Sequence, residues 1–233
     1  MFSFLWFYLW DMTIIPMCLC ITMPFHKFRS YDNAKRIVFN GYKIKLNLTS
    51  DAPLIETGYI LANHRSWFDF SFDVFISDSA AIGRRLALNM IFWCTMLGYA
   101  ENRVISFIRG KETRSELFQR IKRHFELRGR ILFWPEGTRL RYTHLSSKED
   151  VKTYLKYGLL KEIYYDKTYP VQLQISNNKE VAMDEKKFHI QRGVTINTHR
   201  TKSIHPKDYL VEADFYDAIA EEWYKAWKIT HVS

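Results

Sequence analysis

Short apolar runs alternate with stretches of helical periodicity along most of this chain, and that alternation restricts the fold more than any other feature. Gly58–Ala62, Ser79–Gly83, Arg103–Phe107, Ile131–Trp134, Pro170–Ser176 and Val194–Thr198 read as strands. Between them, a helix is expected to open at Ser66, a second to cover Leu86–Tyr99, a third Lys111–Arg128 and a fourth Lys148–Tyr157. In the third, Leu117, Phe118, Ile121 and Phe125 fall on one face, with Arg120, Lys122 and Arg123 off it. A last helix, capped by Asp214, carries the stripe Phe215, Ile219, Trp223 and Trp227. This order predicts an α/β fold with a mostly parallel central sheet flanked by helices. Val171, Leu173 and Ile175 alternate with polar residues, which predicts a half-buried strand. Asn40-Gly41 is either a hairpin turn or a helix end before a strand over Tyr42–Leu48. The lack of alternation in Ala34–Phe39 favours the helix end.

A chain of 233 residues reads as one domain with an appendage. The appendage is residues 1–25, in which Asp11 is the only charged side chain. That stretch is long enough to span a bilayer, and its load of Phe2, Phe4, Trp6, Phe7, Tyr8 and Trp10 suits the membrane interface. It reads as a spanning anchor or as helices lying in one leaflet. It lacks a basic leader region and a small-residue cleavage site, which argues against a removable signal peptide. Lys27, Arg29, Lys35 and Arg36 follow at once, so residues 26–233 are expected to face the cytosol, leaving the Asn47-Leu48-Thr49 sequon unglycosylated. Three cysteines, Cys18, Cys20 and Cys94, make no disulfide framework. The net charge of +9 suits anionic membranes or phosphorylated substrates. No basic tail, zinc-finger spacing or RNA-binding aromatic signature accompanies it, so no nucleic acid partner is expected.

Two strand-terminating loops carry the chemistry. In Asn63-His64-Arg65-Ser66-Trp67-Phe68-Asp69 an imidazole precedes a carboxylate by five positions. On a continuous helix five residues turn side chains about 140° apart, so the pair can meet only across a turn. Asn63 ending a strand and Ser66 opening a helix supply that turn. Asp69 then either orients His64 as a general base or closes a capping box with Ser66. In Phe133-Trp134-Pro135-Glu136-Gly137-Thr138-Arg139, Pro135 ends strand pairing and Gly137 permits a tight turn. Arg139 and the loop amides can hold a phosphate.

The His64–Asp69 spacing followed by Pro-Glu-Gly-Thr-Arg resembles the glycerolipid acyltransferase family, over roughly Ile55–Ser176. The resemblance implies a membrane-bound enzyme that moves a fatty acyl group from acyl-CoA to the hydroxyl of lysophosphatidic acid or a related lysophospholipid. Acyl-CoA is a co-substrate, and no cofactor or metal is implied. His64 is then the base, oriented by Asp69, and backbone amides near the His64 loop, which the sequence does not identify, are expected to stabilise the oxyanion. Arg109, Glu136, Gly137, Thr138 and Arg139 are implied to hold the acceptor phosphate. Arg109 departs from the pattern, since Ser106 stands where the family has Phe. Pro170 matches the Pro-Val element implied to shape the acyl site, and the apolar Leu86–Tyr99 segment is a candidate wall for the acyl chain. Two other readings are a CoA-independent phospholipid transacylase and a non-catalytic lipid-binding protein of the same fold. No element after about Lys179 carries a motif.

Overall fold

A computed structural model describes residues 39–40, 42–66, 68–85, 102–108, 110–139, 144–184 and 189–231. The N-terminal segment, the Leu86–Tyr99 helix, the three cysteines, Trp67 and Arg109 lie outside these residues. No helix among the described residues is long and apolar enough to cross a membrane.

Seven strands form one sheet: β1 (Lys45–Ser50), β2 (Gly58–Ala62), β3 (Ala80–Arg84), β4 (Val104–Phe107), β5 (Arg130–Phe133), β6 (Val171–Ser176) and β9 (Thr195–Ile204). Strands β7 (Met183–Asp184) and β8 (His189–Ile190) pair separately. The order across the sheet is β1-β9-β6-β2-β5-β3-β4. Strands β6, β2, β5, β3 and β4 run parallel, while β9 pairs antiparallel with β6 and parallel with β1. The sheet is therefore mostly parallel, as the alternation of strands and helices predicts.

Alternate residues of the central strands face two layers. On one side Tyr59, Leu61, Ile131, Phe133, Leu173 and Ile175 pack against α2 (Arg114–Arg128), α3 (Lys148–Tyr154), α4 (Tyr157–Asp166) and α6 (Glu212–His231). On the other, Ile60, Ala62, Ala81 and Leu132 cluster with Val74 of α1 (Phe68–Ser77). The last helix buries the expected stripe almost completely: Phe215, Ile219, Trp223 and Trp227 are all within 2% of full burial. A buried Trp or Phe contributes about 3 kcal/mol by area, so this stripe is a large part of what closes the domain.

Several local expectations change. Residues 148–157 do not form one helix; α3 ends at Tyr154 and α4 begins at Tyr157. The break frees the Lys156 amide, which donates to the Pro135 carbonyl at 2.7 Å and ties the helix pair to the Glu136 loop. Asp214 lies inside the first turn of α6, which starts two residues earlier. Strand β6 is buried at all six positions, not half-buried. Layers cover both of its faces, and the polar set is satisfied within the fold: Gln172 Nε2 donates to the carbonyls of Pro53 and Thr201 at 2.9 and 2.8 Å. Phe39 and Asn40 are helical and a turn follows, in line with a helix end, but the strand after it is Lys45–Ser50 and starts three residues later than expected.

The turn from α2 into β5 needs its glycine. Gly129 has φ 68°, and a Cβ there would lie 2.7 Å from the Glu56 carbonyl oxygen. Gly129→Ala should therefore lower stability by about 1–3 kcal/mol. Leu210→Ala, at a side chain 95% exposed, should stay within about 0.5 kcal/mol. Thermal unfolding of both variants beside the parent checks the pair.

Candidate active site

Strands β6, β2 and β5 are neighbours and parallel, so their carboxyl ends deliver three loops to one place. In parallel α/β sheets ligands bind at this edge. From β2 come Asn63 and His64, from β5 Trp134, Pro135 and Glu136, and from β6 Asn177, Asn178 and Lys179. Asn63 continues the β2–β6 ladder with its side chain. Its Nδ2 donates to the Ser176 carbonyl at 2.8 Å, and its Oδ1 accepts from the Ser176 amide at 2.9 Å.

The chain turns at 64–66 and enters α1, bringing Asp69 back onto the loop. His64 Nδ1 lies 2.9 Å from Asp69 Oδ2. Asp69 Oδ2 also accepts from the Arg65 amide and, at 3.0 Å, from the Ser66 amide, and Asp69 Oδ1 accepts from Ser66 Oγ at 3.3 Å. The sequence left open whether Asp69 caps the helix or orients His64; one buried carboxylate does both. An ionised Asp69 accepts the Nδ1 proton, which leaves Nε2 as the basic nitrogen. Among the described residues Nε2 has no hydrogen-bond partner, and the His64 side chain is 23% exposed. The Trp134 ring stacks on the imidazole at 5.1 Å between centroids and 27° between planes.

Three expectations for the site are modified. Glu136 is fully buried and its Oε2 accepts from the His64 amide at 2.5 Å. It therefore joins the two motif loops through their backbone instead of facing solvent beside Gly137 and Thr138, which are exposed. The amides of His64, Arg65 and Ser66 all donate to carboxylates, so none of these three is oriented toward an oxyanion. Pro170 lies at the amino end of β6, where its carbonyl accepts from the Tyr59 amide at 2.9 Å. A strand of this length separates it from the His64 end by roughly 20 Å, so the structure does not bring Pro170 to the site. Gly137 has φ 68° and its amide donates to the Trp134 carbonyl at 3.0 Å, forming the expected tight turn, and Arg139 follows half-buried.

Sequence reading passed over the other side of the site. Lys179 opens the short helix α5 (Lys179–Ala182) and is fully buried. Its ammonium lies 2.8 Å from Asp73 Oδ2, 3.5 Å from Asp69 Oδ1 and 2.5 Å from the Asn63 carbonyl oxygen. Trp134 Nε1 donates to the same Asp73 oxygen at 2.9 Å. Beside Lys179, Glu180 pairs with Arg65 at 2.7 Å, and the Arg65 guanidinium sits over the Trp227 ring of α6. The one available sequence signal was Asp69 and Asp73 at helical spacing i, i+4, which puts two carboxylates on one face.

Burial raises the cost of charge on every member. Burial pushes the Asp73 carboxyl up to about 6. Burial acts the same way on Asp69, but the Lys179 charge, the His64 hydrogen bond and the Ser66 amide hold it below the ordinary carboxylate range. Burial works against the Lys179 ammonium, and the charges of Asp69 and Asp73 outweigh it and raise its pKa. No cluster of three or more metal-ligating side chains is present among the described residues.

The fold and the site together define an α/β protein whose His-Asp pair stands at the carboxyl edge of a mostly parallel sheet. It is similar to the crystal structure of PlsC, the 1-acyl-sn-glycerophosphate (LPA) acyltransferase of Thermotoga maritima, with a TM-score of 0.68 at 14% identity. The likeness covers 98% of this chain and 94% of that one. No family model and no curated protein matches the chain by sequence.

Asp73 gives this site a stability signature. Its folded pKa of about 6 exceeds the ordinary 3.8, so the folded state binds that proton more tightly. The contribution of Asp73 to stability is thus present below about pH 4 and is lost as pH rises through about 6. Asp69, shifted down, contributes the opposite slope at lower pH. In Asp73→Asn the loss of melting temperature between pH 4 and 6 should flatten relative to the parent. A melting series across that window decides it, and an unchanged slope would assign the effect elsewhere.

Proposed function

We propose that the protein is a membrane-bound O-acyltransferase that moves a fatty acyl group from acyl-CoA to the hydroxyl of lysophosphatidic acid or a related lysophospholipid. The observation that carries this reading is the 2.9 Å His64–Asp69 contact, with Nε2 unpartnered among the described residues. The name of the similar PlsC structure, an acyltransferase for 1-acyl-sn-glycerophosphate, supports the acceptor class.

In the proposed reaction the acceptor hydroxyl hydrogen-bonds to His64 Nε2. As the oxygen attacks the thioester carbonyl, Nε2 takes its proton, and Asp69 stabilises the imidazolium that forms. Collapse of the tetrahedral adduct breaks the carbon–sulfur bond. The CoA thiolate leaves with the proton from Nε2, and the new ester stays on the acceptor. No acyl-enzyme and no cofactor are needed. Trp134 limits rotation of the imidazole by stacking. Arg139, with the exposed Gly137–Thr138 turn, and Arg109 hold the acceptor phosphate by charge-assisted hydrogen bonds. Residues 1–25 keep the cytosol-facing domain at the membrane, where both substrates partition.

Purified protein in liposomes, given labelled long-chain acyl-CoA and lysophosphatidic acid, tests the reading, with glycerol 3-phosphate and other lysophospholipids in parallel. His64→Ala should reduce turnover by about 10²–10⁴-fold with liposome binding retained. Arg139→Ala should weaken the acceptor KM by about tenfold, the loss of a charge-assisted contact, with a smaller effect on kcat. Equal turnover in His64→Ala would remove the assignment of the base. Transfer from a phospholipid without acyl-CoA would replace the donor.

A further inference from the structure

Lys179 has no solvent exposure, belongs to neither motif, and contacts no group on which the proposed chemistry acts directly. A buried lysine loses hydration and chain entropy, so its place needs a reason. Its surroundings supply one. Asp69 and Asp73 project from the same face of α1 one turn apart, and both reach the Lys179 ammonium, at 3.5 and 2.8 Å. Two neighbouring buried carboxylates do not both ionise without a cation between them. Asp69 has four donors besides Lys179: His64 Nδ1, the amides of Arg65 and Ser66, and Ser66 Oγ. Asp73 has Trp134 Nε1 on one oxygen, and its buried Oδ1 has no hydrogen-bond partner among the described residues. While the ammonium is present it offsets both carboxylates; once it is gone, the charge of Asp73 works against that of Asp69.

We propose that Lys179 is a positioning residue of this site: its ammonium, held by Asp69, Asp73 and the Asn63 carbonyl, keeps Asp69 ionised opposite His64 and so keeps the imidazole proton on Nδ1. The inference rests on the His64–Asp69 reading of the reaction. The Asn63 contact adds a mechanical part, since that carbonyl lies one residue before His64 and 2.5 Å from Nζ. The downward shift of Asp69, against its burial and with the Lys179 charge as the first cause lowering it, agrees with this role. The groups facing the cluster from each element are His64 and Arg65 from the β2 loop, Glu136 from the β5 loop, Glu180 from α5 and His231 from α6.

The test uses the full chain in liposomes, with parent, His64→Ala, Lys179→Met, Asp73→Asn and the double variant Lys179→Met/Asp73→Asn. Removing the cation leaves two carboxylates in one buried space, and removing Asp73 as well restores a single charge on Asp69. Lys179→Met should lower kcat about 10- to 100-fold with little change in KM, and move the acid limb of the pH profile upward. The double variant should regain at least about tenfold over Lys179→Met and melt at a higher temperature than it. A role in packing alone predicts the reverse, with the double variant worse than either single change. Wild-type kcat and pH profile in Lys179→Met, or a double variant no better than Lys179→Met in activity or melting, overturns the proposal. Nitrogen-15 spectra of histidine-labelled protein, with His64→Ala for assignment, read the tautomer without turnover. The Nδ1–H form of His64 should be present in the parent and double variant and depleted in Lys179→Met. Its persistence in Lys179→Met also overturns the proposal. Absence of acyl transfer in the parent counts against the enzyme reading instead, while the tautomer still decides the role of Lys179.

Discussion

Four ionisable side chains with no solvent exposure, Lys179, Asp69, Asp73 and Glu136, meet at the carboxyl end of the sheet, and the shape of the site follows from how they are satisfied. An unpaired charge in such a place is costly, and removing one partner from a buried pair typically costs about 3–5 kcal/mol. Each group here is therefore tied to a backbone group or a second charge. Glu136 takes the His64 amide, Asp69 the amides of Arg65 and Ser66, and Lys179 the Asn63 carbonyl. These bonds leave the 63–69 loop little freedom. The imidazole is held through the loop backbone, through Nδ1 and by the stacked indole of Trp134, and Nε2 is the nitrogen left for chemistry.

The topology makes this convergence possible. Parallel neighbours β6, β2 and β5 end at the same edge, so three segments distant in sequence meet without long excursions. The antiparallel return of β9 beside β6 brings the C-terminal helix α6 across the sheet, where Trp227 lies under Arg65. The link runs from the buried stripe of α6 through Arg65 and Glu180 to the helix that carries Lys179. Packing of the last helix and geometry of the 63–69 loop are thus parts of one connected structure.

Much of the architecture was legible in the chain. Gly58–Ala62 forms a strand with the expected bounds because a short apolar run is buried on both faces. The α2 face of Phe118, Ile121 and Phe125 is buried as its spacing demands, and Thr113 with Glu116 closes the capping box that starts it. Polar residues misled where the fold satisfies them internally. Gln172 and Gln174 made β6 read as half-exposed, although backbone carbonyls of neighbouring segments take up their amides. The helix break at Leu155–Lys156 was not visible either, because its reason is a hydrogen bond to Pro135 in another loop.

By itself the sequence determined the alternation of the main strands and helices, the two motif loops and the turn through which His64 can meet Asp69. These depend on local periodicity and on a turn spanning a few residues. Only the tertiary structure decided that Glu136 faces the His64 backbone, that Pro170 stands at the far end of its strand, and that Lys179 enters the site. No periodicity records those outcomes, since they depend on strand order and on which buried charges must find one another across more than a hundred residues.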